Sequence, residues 1–350
     1  MYGLIRPLLF KLDPEEAHNL TFRLLTSTGG LPGGAASAIY GPVSPRLATS
    51  VGRLNVAGPV GLAAGLDKNA EATAFWPSIG FGFVEVGTVT AKAQPGNPKP
   101  RLFRFPKHEA IVNRMGFNNE GAASMASRLK ETRRSWNSPA AVGVNLGKSK
   151  VTPLDEAVGD YVESTRQLAE FADYLVINVS SPNTPGLREL QDEGALREII
   201  QGVSEVSGDL PIFVKLAPDL ENEALDALVR VAQEENLEGL IATNTTIDHQ
   251  GIADVGPGGL SGRPLATRSR EVVNYLTQRI EKPVIAVGGI SSVEDAMAMF
   301  EAGASAIQIY SALIFQGPAL IAAINQALLK KMNTAGVDSF EALRQRLRQS

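Results

Sequence analysis

Cysteine is absent from this chain of 350 residues. That excludes disulfides, thiolate zinc sites, cysteine-ligated iron–sulfur clusters, and a cysteine serving as nucleophile or base. Histidine is scarce. His18, His108 and His249 lie far apart and none belongs to an HExxH-type pair, so no metal site is expected. Charge of one sign never accumulates: the formal net charge is −4 and no basic stripe exists, which argues against a nucleic-acid partner. No apolar run is long enough to span a bilayer. The first residues show neither a secretory apolar core with a small-residue cleavage site nor an Arg/Ser-rich transit pattern, so the expected location is the cytoplasm or its membrane face.

What remains is a balanced globular composition, 44% hydrophobic, long enough for one large domain with an appendage or for two smaller ones. From Val60 onward there is a rhythm of short, nearly continuous apolar runs rich in Val and Ile, the pattern of parallel strands covered on both faces. Eight such runs stand at Val60–Gly65, Phe83–Val89, Ala141–Leu146, Tyr174–Val179, Ile212–Leu216, Gly239–Asn244, Val284–Gly288 and Ala306–Tyr310. Helical patterns lie between most of them, at Leu154–Ala172, Gly194–Val206, Asn222–Asn236, Thr267–Gln278 and Ser292–Glu301. Eight strand–helix units in succession predict a single (β/α)8 TIM barrel over 41–350. A doubly wound sheet is the rival, but no G-x-G-x-x-G follows the first strand. The one long interruption, Thr90 to Pro139, exceeds a plain helical crossover, so extra structure over the barrel mouth is expected there.

Residues 1–40 stand apart as a helical extension. Tyr2, Ile5, Leu8 and Leu9 recur at helical spacing. Asp13-Pro14-Glu15-Glu16 opens a second helix, with Asp13 as N-cap, Pro14 at N1 and Glu16 at the third position of a capping box. Ala17, Leu20, Leu24 and Leu25 form its expected stripe, and Thr28-Gly29-Gly30 through Gly33-Gly34 reads as a loose linker. Padding of the domain, a dimer cap and a helix pair lying in a membrane interface all fit this segment.

In a barrel the chemistry comes from the C-terminal ends of several strands. Those ends carry Lys68, Thr88, Asn145, Asn178, Lys215, Thr243-Asn244-Thr245, Gly288-Gly289 and Ser311, each polar or a glycine that bares its backbone N–H. One extended ligand across the mouth is the expectation. The stretch Asn178 to Gly186, dense in amides and hydroxyls and stiffened by Pro182 and Pro185, is its centre. Val287-Gly288-Gly289-Ile290-Ser291-Ser292, with Ser311 after the last strand, occupies the usual phosphate position of the fold. Lys68 and Lys215, embedded in apolar surroundings, suit either developing negative charge or a Schiff base; the neighbouring amides favour the first. Asn113 to Asn119 is either a polar loop or a closure over the pocket.

Seven stretches besides NVSSPNTPGLR (Asn178–Arg188) carry a family resemblance: AAGLDKN (Ala63–Asn69), NRMGFNN (Asn113–Asn119), VKLAPD (Val214–Asp219), TNTT (Thr243–Thr246), GGLSGRPL (Gly258–Leu265), VGGI (Val287–Ile290) and QIYSALI (Gln308–Ile314). In this order they make the chain resemble the class 2, quinone-dependent dihydroorotate dehydrogenases, essentially end to end. The resemblance implies FMN, with its phosphate near Gly262, Gly289, Tyr310 and Ser311. Ala64, Gly65, Lys68, Thr88, Asn145, Asn178, Lys215 and Thr243 would complete the cofactor site. Dihydroorotate would be held by Lys68, Asn113, Arg114, Met115, Gly116, Phe117, Asn178, Asn183, Asn244 and Thr245. Ser181 would be the base that takes the C5 proton while hydride leaves C6 for the flavin, and Thr184–Leu190 would be a lid. His18, Arg104 and Tyr310 would face a quinone, ubiquinone or menaquinone. Residues 1–40 would dock peripherally on the cytoplasmic side of the cell membrane, and the activity would belong to pyrimidine synthesis; the sequence leaves the oligomeric state open, with a monomer favoured.

Overall fold

The computed structural model describes residues 2–26, 31–235, 237–249, 251–252 and 254–348, with the side chains of Leu31 and Pro32 left aside. Eight parallel strands close into a barrel in strict sequence order: Val60–Leu62, Phe83–Val89, Ala141–Leu146, Tyr174–Asn178, Ile212–Leu216, Gly239–Ala242, Val284–Val287 and Ala306–Ile309, the last pairing with the first. The expected TIM barrel is therefore what the chain builds. Several strands end one to three residues before the apolar run does, because the terminal polar and glycine residues already turn into the mouth loops.

Side-chain alternation along each strand sends every second residue inward. At the bottom of the barrel three aromatic rings fill the axis. Tyr174 meets Phe83 edge-on at 6.4 Å and Phe213 at 5.7 Å. Room for them comes from small residues on neighbouring strands. A Cβ on Gly143 would lie 2.0 Å from the Tyr174 ring, and one on Gly61 would lie 2.3 Å from Phe83. A short antiparallel hairpin, Thr49–Val51 with Leu54–Val56, closes this end and joins the same apolar cluster. Two residues further up, the inward positions become Glu85, Asn145, Lys215 and Gln308, so the axis changes from apolar to polar at one level. The outer faces of the strands bury the larger core against the surrounding helices.

The interruption after the second strand does contain extra structure. Leu102–Phe105 and Ala110–Asn113 form a hairpin, and Gly259–Gly262 from the loop after the sixth strand adds a third antiparallel strand. This small sheet stitches two distant mouth loops together. The barrel's own helix follows at Ala122–Arg134.

The amino-terminal segment begins with helices Tyr2–Leu9 and Pro14–Thr26. Asp13 caps the second, its Oδ1 accepting from the N–H groups of Glu15 at 2.9 Å and Glu16 at 3.2 Å. The expected linker differs. Thr28 to Gly30 lie outside the described residues, but Gly33 and Gly34 sit in a third helix, Leu31–Tyr40, which lies along the single turn Trp76–Ile79. Burial of Ala36 outweighs the low helix propensity of two glycines. The expected stripe differs too. Ala17 and Phe22 are buried and Leu25 packs beside the core, whereas Leu20 and Leu24 face outward, with Leu4, Ile5, Leu8 and Leu12.

Candidate active site

The fourth strand ends on Asn178, and the next three residues turn across the barrel mouth. Asn178, Ser180 and Ser181 are all buried. Asn178 donates from Nδ2 to Thr88 Oγ1 and to Asn145 Oδ1, both at 3.0 Å, and Thr88 in turn donates to Asn145 at 2.6 Å. Asn145 donates downward to Glu85 Oε1 at 2.7 Å. Glu85 also receives Gln308 Nε2 and lies 3.5 Å from Lys215 Nζ. Five strands thus feed one polar network whose foundation is a carboxylate with no exposed surface. Buried charge is tolerated where it is paired and hydrogen-bonded on each side, and that is the case for Glu85.

Above the network opens a cleft of about 1150 Å³, counting the space that leads to bulk water. Its walls carry Ala64, Gly65, Lys68, Thr88, Asn178, Lys215, Thr243, Gly262, Gly289, Tyr310 and Ser311 of the expected cofactor set. They also carry Asn113, Met115, Gly116, Phe117, Ser181, Asn183, Asn244 and Thr245 of the expected substrate and catalytic set. Two expected residues stand elsewhere. Asn145 lies under the floor, where it orients Thr88 and Asn178. Arg114 turns away, donating from NH1 to Val255 O at 2.6 Å and Pro257 O at 2.9 Å while its guanidinium covers the Phe103 ring.

Ser181 Oγ accepts the Asn183 N–H at 3.3 Å, and the Asn183 amide donates to Asn113 Oδ1 at 3.1 Å. Asn244 Nδ2 reaches Ser180 Oγ at 2.9 Å and Asn178 Oδ1 at 3.3 Å. The segment from Thr184 to Leu190, expected as a lid, is not among the residues that line the cleft; it ends in a single turn, Leu187–Gln191, with Leu187 and Leu190 buried. Arg188 fastens it at three points: Ser180 O at 3.0 Å, Asp219 Oδ2 at 2.8 Å and Thr245 O at 3.1 Å.

The cleft suits a large planar polar group ending in an anion. Among the described residues, Thr243 Oγ1 and Thr245 Oγ1 are buried oxygens of cleft-lining side chains without a hydrogen-bond partner. Such atoms cost free energy unless a ligand satisfies them. At the opposite end Gly288 and Gly289 adopt φ of 114° and 73°, and a Cβ on Gly289 would lie 2.1 Å from Ala266 Cα. Only glycine allows that approach of backbone to the start of helix Ala266–Thr277. Ser261 and Ser311 share a hydrogen bond at 2.9 Å on the facing wall. Donors, acceptors and anion-binding backbone therefore line one continuous surface.

The turn after the first strand holds two ionisable groups. Asp67 is fully buried, which pushes its carboxyl up to about 6 against three opposing donors: Trp76 Nε1, Glu71 N and Ala72 N. Burial pushes the neighbouring Lys68 ammonium down to about 8.

Behind Tyr310 lies a second cavity of about 1050 Å³, walled by the first two helices and lined by Phe10, Ala17, Phe22, Leu25, Phe75, Trp76, Leu313 and other apolar side chains. His18, Arg104 and Tyr310, with Tyr2 and Thr21, are the polar side chains among its lining residues. His18 stacks on Phe22 at 4.4 Å. Burial, with the nearby Lys68 charge adding to it, pushes the imidazole down to about 3, so it stays neutral at ordinary pH. Burial also pushes the Tyr310 phenol up to about 12. Arg104 lies 4.5 Å over the Phe10 ring and donates to the carbonyls of Leu9, Phe10 and Leu12, fixing the link between the two helices. Tyr310 belongs to both cavities.

Sequence reasoning did not single out Glu85, Asp67, or the ion pair that Arg101 makes with Glu15, both residues being buried. The first had a signal in hindsight, a single acidic residue inside the apolar run Phe83–Val89.

A closed (β/α)8 barrel with a polar cleft at the C-terminal ends of its strands is the architecture of a barrel enzyme. The family model for dihydroorotate dehydrogenase matches residues 46–332. A protein of Gloeobacter violaceus named dihydroorotate dehydrogenase (quinone) is 48% identical over 99% of this chain and 98% of its own length. One of the same name from Acidithiobacillus ferrooxidans is 48% identical over 93% and 94%. Among solved structures, that of DHODH in complex with ferulenol from Eimeria tenella superposes with a TM-score of 0.85 at 37% identity, covering 96% of this chain and 97% of that one. The chain belongs to the dihydroorotate dehydrogenase family of oxidoreductases, in its quinone-dependent class.

Proposed function

We propose that this protein oxidises (S)-dihydroorotate to orotate in pyrimidine synthesis, with FMN in the mouth cleft and a membrane quinone, ubiquinone or menaquinone, as final acceptor. The observation that carries the reading is the meeting of Lys68, Ser181, Lys215 and Asn244, from four strand ends, around one cleft that shares Tyr310 with a second, apolar cavity. FMN, when bound, supplies the hydride acceptor. The chain's own residues supply binding, orientation and the proton acceptor.

Gly262, Gly288, Gly289 and Ser311 hold the phosphate with backbone and hydroxyl donors. Thr243 would satisfy its free oxygen on the cofactor, and Lys215 would present a positive charge to it. The amides of Asn113, Asn178, Asn183 and Asn244 match the ring N–H and C=O groups of dihydroorotate, and Lys68 meets its carboxylate. Ser181 Oγ takes the C5 proton. A free hydroxyl is a poor base, so the burial of Ser181 and its fixed orientation matter to it.

Neutral His18, with Arg104 and Tyr310, offers hydrogen-bonding groups to a quinone head in a largely apolar cavity. The outward faces of the first two helices carry Leu4, Ile5, Leu8, Leu20 and Leu24 next to Arg6, Lys11 and Arg23, the composition of an interfacial element. Among the described residues no helix is long and apolar enough to cross a membrane; the reading offered for these faces is peripheral docking on the cytoplasmic side.

The test is an anaerobic one. Purified protein should be yellow, bleach on adding dihydroorotate, and regain colour with a quinone analogue faster than with fumarate or NAD. Colour that persists after dihydroorotate is added sinks the proposal.

A further inference from the structure

The seating of the second helix and the order of the substrate loop are joined by polar contacts that the proposed chemistry does not use. Glu15, in the first turn of helix Pro14–Thr26, and Arg101, just before the mouth hairpin, are 8% and 7% exposed. Arg101 grips the Glu15 carboxylate with two donors, Nε at 3.1 Å and NH2 at 2.7 Å, and Lys99 adds a second cation at 3.3 Å. Burial pushes the carboxyl up, yet Arg101 and Lys99 together hold it below its ordinary range.

The remaining guanidinium nitrogen of Arg101 donates to Pro95 O at 2.6 Å and Asn97 O at 2.8 Å. Between those carbonyls Gly96 has φ of 79°, and a Cβ there would lie 2.3 Å from Met115 O and 2.8 Å from Arg101 NH1. The strap 95–97 is thus clamped between the guanidinium and the 113–119 loop. Asn97 completes the clamp. Its N–H donates to Met115 O at 3.0 Å, and its side-chain amide donates to Arg114 O at 3.0 Å and Asn183 O at 3.1 Å. The same amide presses on Gly116, where a Cβ would lie 2.7 Å from Asn97 Cγ. Asn183 then bonds Asn113 across the cleft.

A bidentate guanidinium is a stiff fork. Displacing the helix carrying Glu15 must either break the fork or drag the strap, and with it two amides of the substrate cleft. We propose that Arg101 is a positioning residue through which the seating of the amino-terminal helices sets the affinity of the mouth cleft for dihydroorotate. The inference rests on the proposed function. Coupling of this kind is reciprocal, so substrate that orders the cleft also favours the seated helix pair.

The experiment is stopped-flow flavin bleaching by dihydroorotate under anaerobic conditions, on full-length holoenzyme. Glu15→Gln should raise the half-saturating dihydroorotate concentration five- to thirty-fold while changing the limiting rate less than threefold. Asn97→Ala should also raise it, and the double variant should raise it by much less than the product of the two, since both act on one strap. Half-saturation within twofold of wild type in a folded, flavin-loaded Glu15→Gln protein overturns the proposal, as do fully multiplicative effects. Should Glu15→Gln not hold flavin, Glu15→Asp keeps the charge but withdraws it by one methylene, and a half-saturation within 1.5-fold of wild type overturns the proposal equally. Wild-type protein that fails to bleach refutes the functional reading instead, so the two failures are distinguishable.

Discussion

Replacing Glu85 by glutamine keeps the size of the side chain and removes its charge. No cavity forms, so the effect isolates electrostatics. Lys215 Nζ, 3.5 Å away and buried, loses its counter-charge, and one of the donors from Asn145 and Gln308 meets an amide nitrogen instead of an oxygen. Removing one partner of a buried ion pair costs about 3–5 kcal/mol. An unfolding entropy of about 2.1 cal/mol/K per residue gives about 0.7 kcal/mol/K for 350 residues, so Tm should fall by about 4–7 °C. Thermal melts followed by far-UV circular dichroism, at one scan rate and pH 7.5, read this directly. The double variant Glu85→Gln/Lys215→Met removes both charges and should regain most of the loss, although it abolishes flavin bleaching. A single variant melting within about 1 °C of wild type would refute the electrostatic account of the network, and so would a double variant losing as much as the two singles together.

Ser181→Ala should slow flavin bleaching by dihydroorotate by about 10²–10⁴-fold with the flavin still bound; stopped-flow traces and the visible spectrum of the same sample report both. His18 is held neutral down to about pH 3 in the fold but ionises near its ordinary value of 6.5 in the unfolded chain. The unfolded state therefore gains protons first as pH falls from about 6.5 to 3, and the native state loses stability across that window. The Tm of His18→Phe relative to wild type should accordingly rise between pH 7.5 and 5, and a pH-independent difference would contradict the burial of the imidazole. Leu8→Ser combined with Leu24→Ser removes two exposed apolar side chains. It should weaken sedimentation with anionic vesicles by on the order of 10²-fold or more, at about 1.5–3 kcal/mol for each leucine fully inserted, while leaving bleaching by dihydroorotate intact.

The barrel was legible because its strands are buried on both faces and so read as unbroken apolar runs, each ending where Lys68, Asn178, Lys215 or Asn244 appears. Five of the eight strands end one to three residues before their apolar runs, since a glycine or threonine such as Gly288 or Thr243 continues the run in composition after the backbone has left the sheet. The outer surface of the second helix departs from its apolar spacing for a related reason. Apolar spacing marks a face but not what covers it, and Leu20 and Leu24 form a face that the barrel leaves bare while Phe22 turns inward. The third helix was hidden because Gly33 and Gly34 carry a strong local signal against helix that packing on Trp76–Ile79 overrides. Glu85 and the Glu15–Arg101 pair were invisible for want of their partners. An acidic residue reads as surface until a cation from 86 or 130 positions away is brought against it by the fold.

Tyr310 forms part of the wall of the cleft and of the cavity behind it. On the proposed function that one phenol ring is a wall which the rooms of a water-borne guest and an oil-borne guest have in common. No change at position 310 can stay private to one of them: a smaller residue opens both at once, and a larger one crowds both.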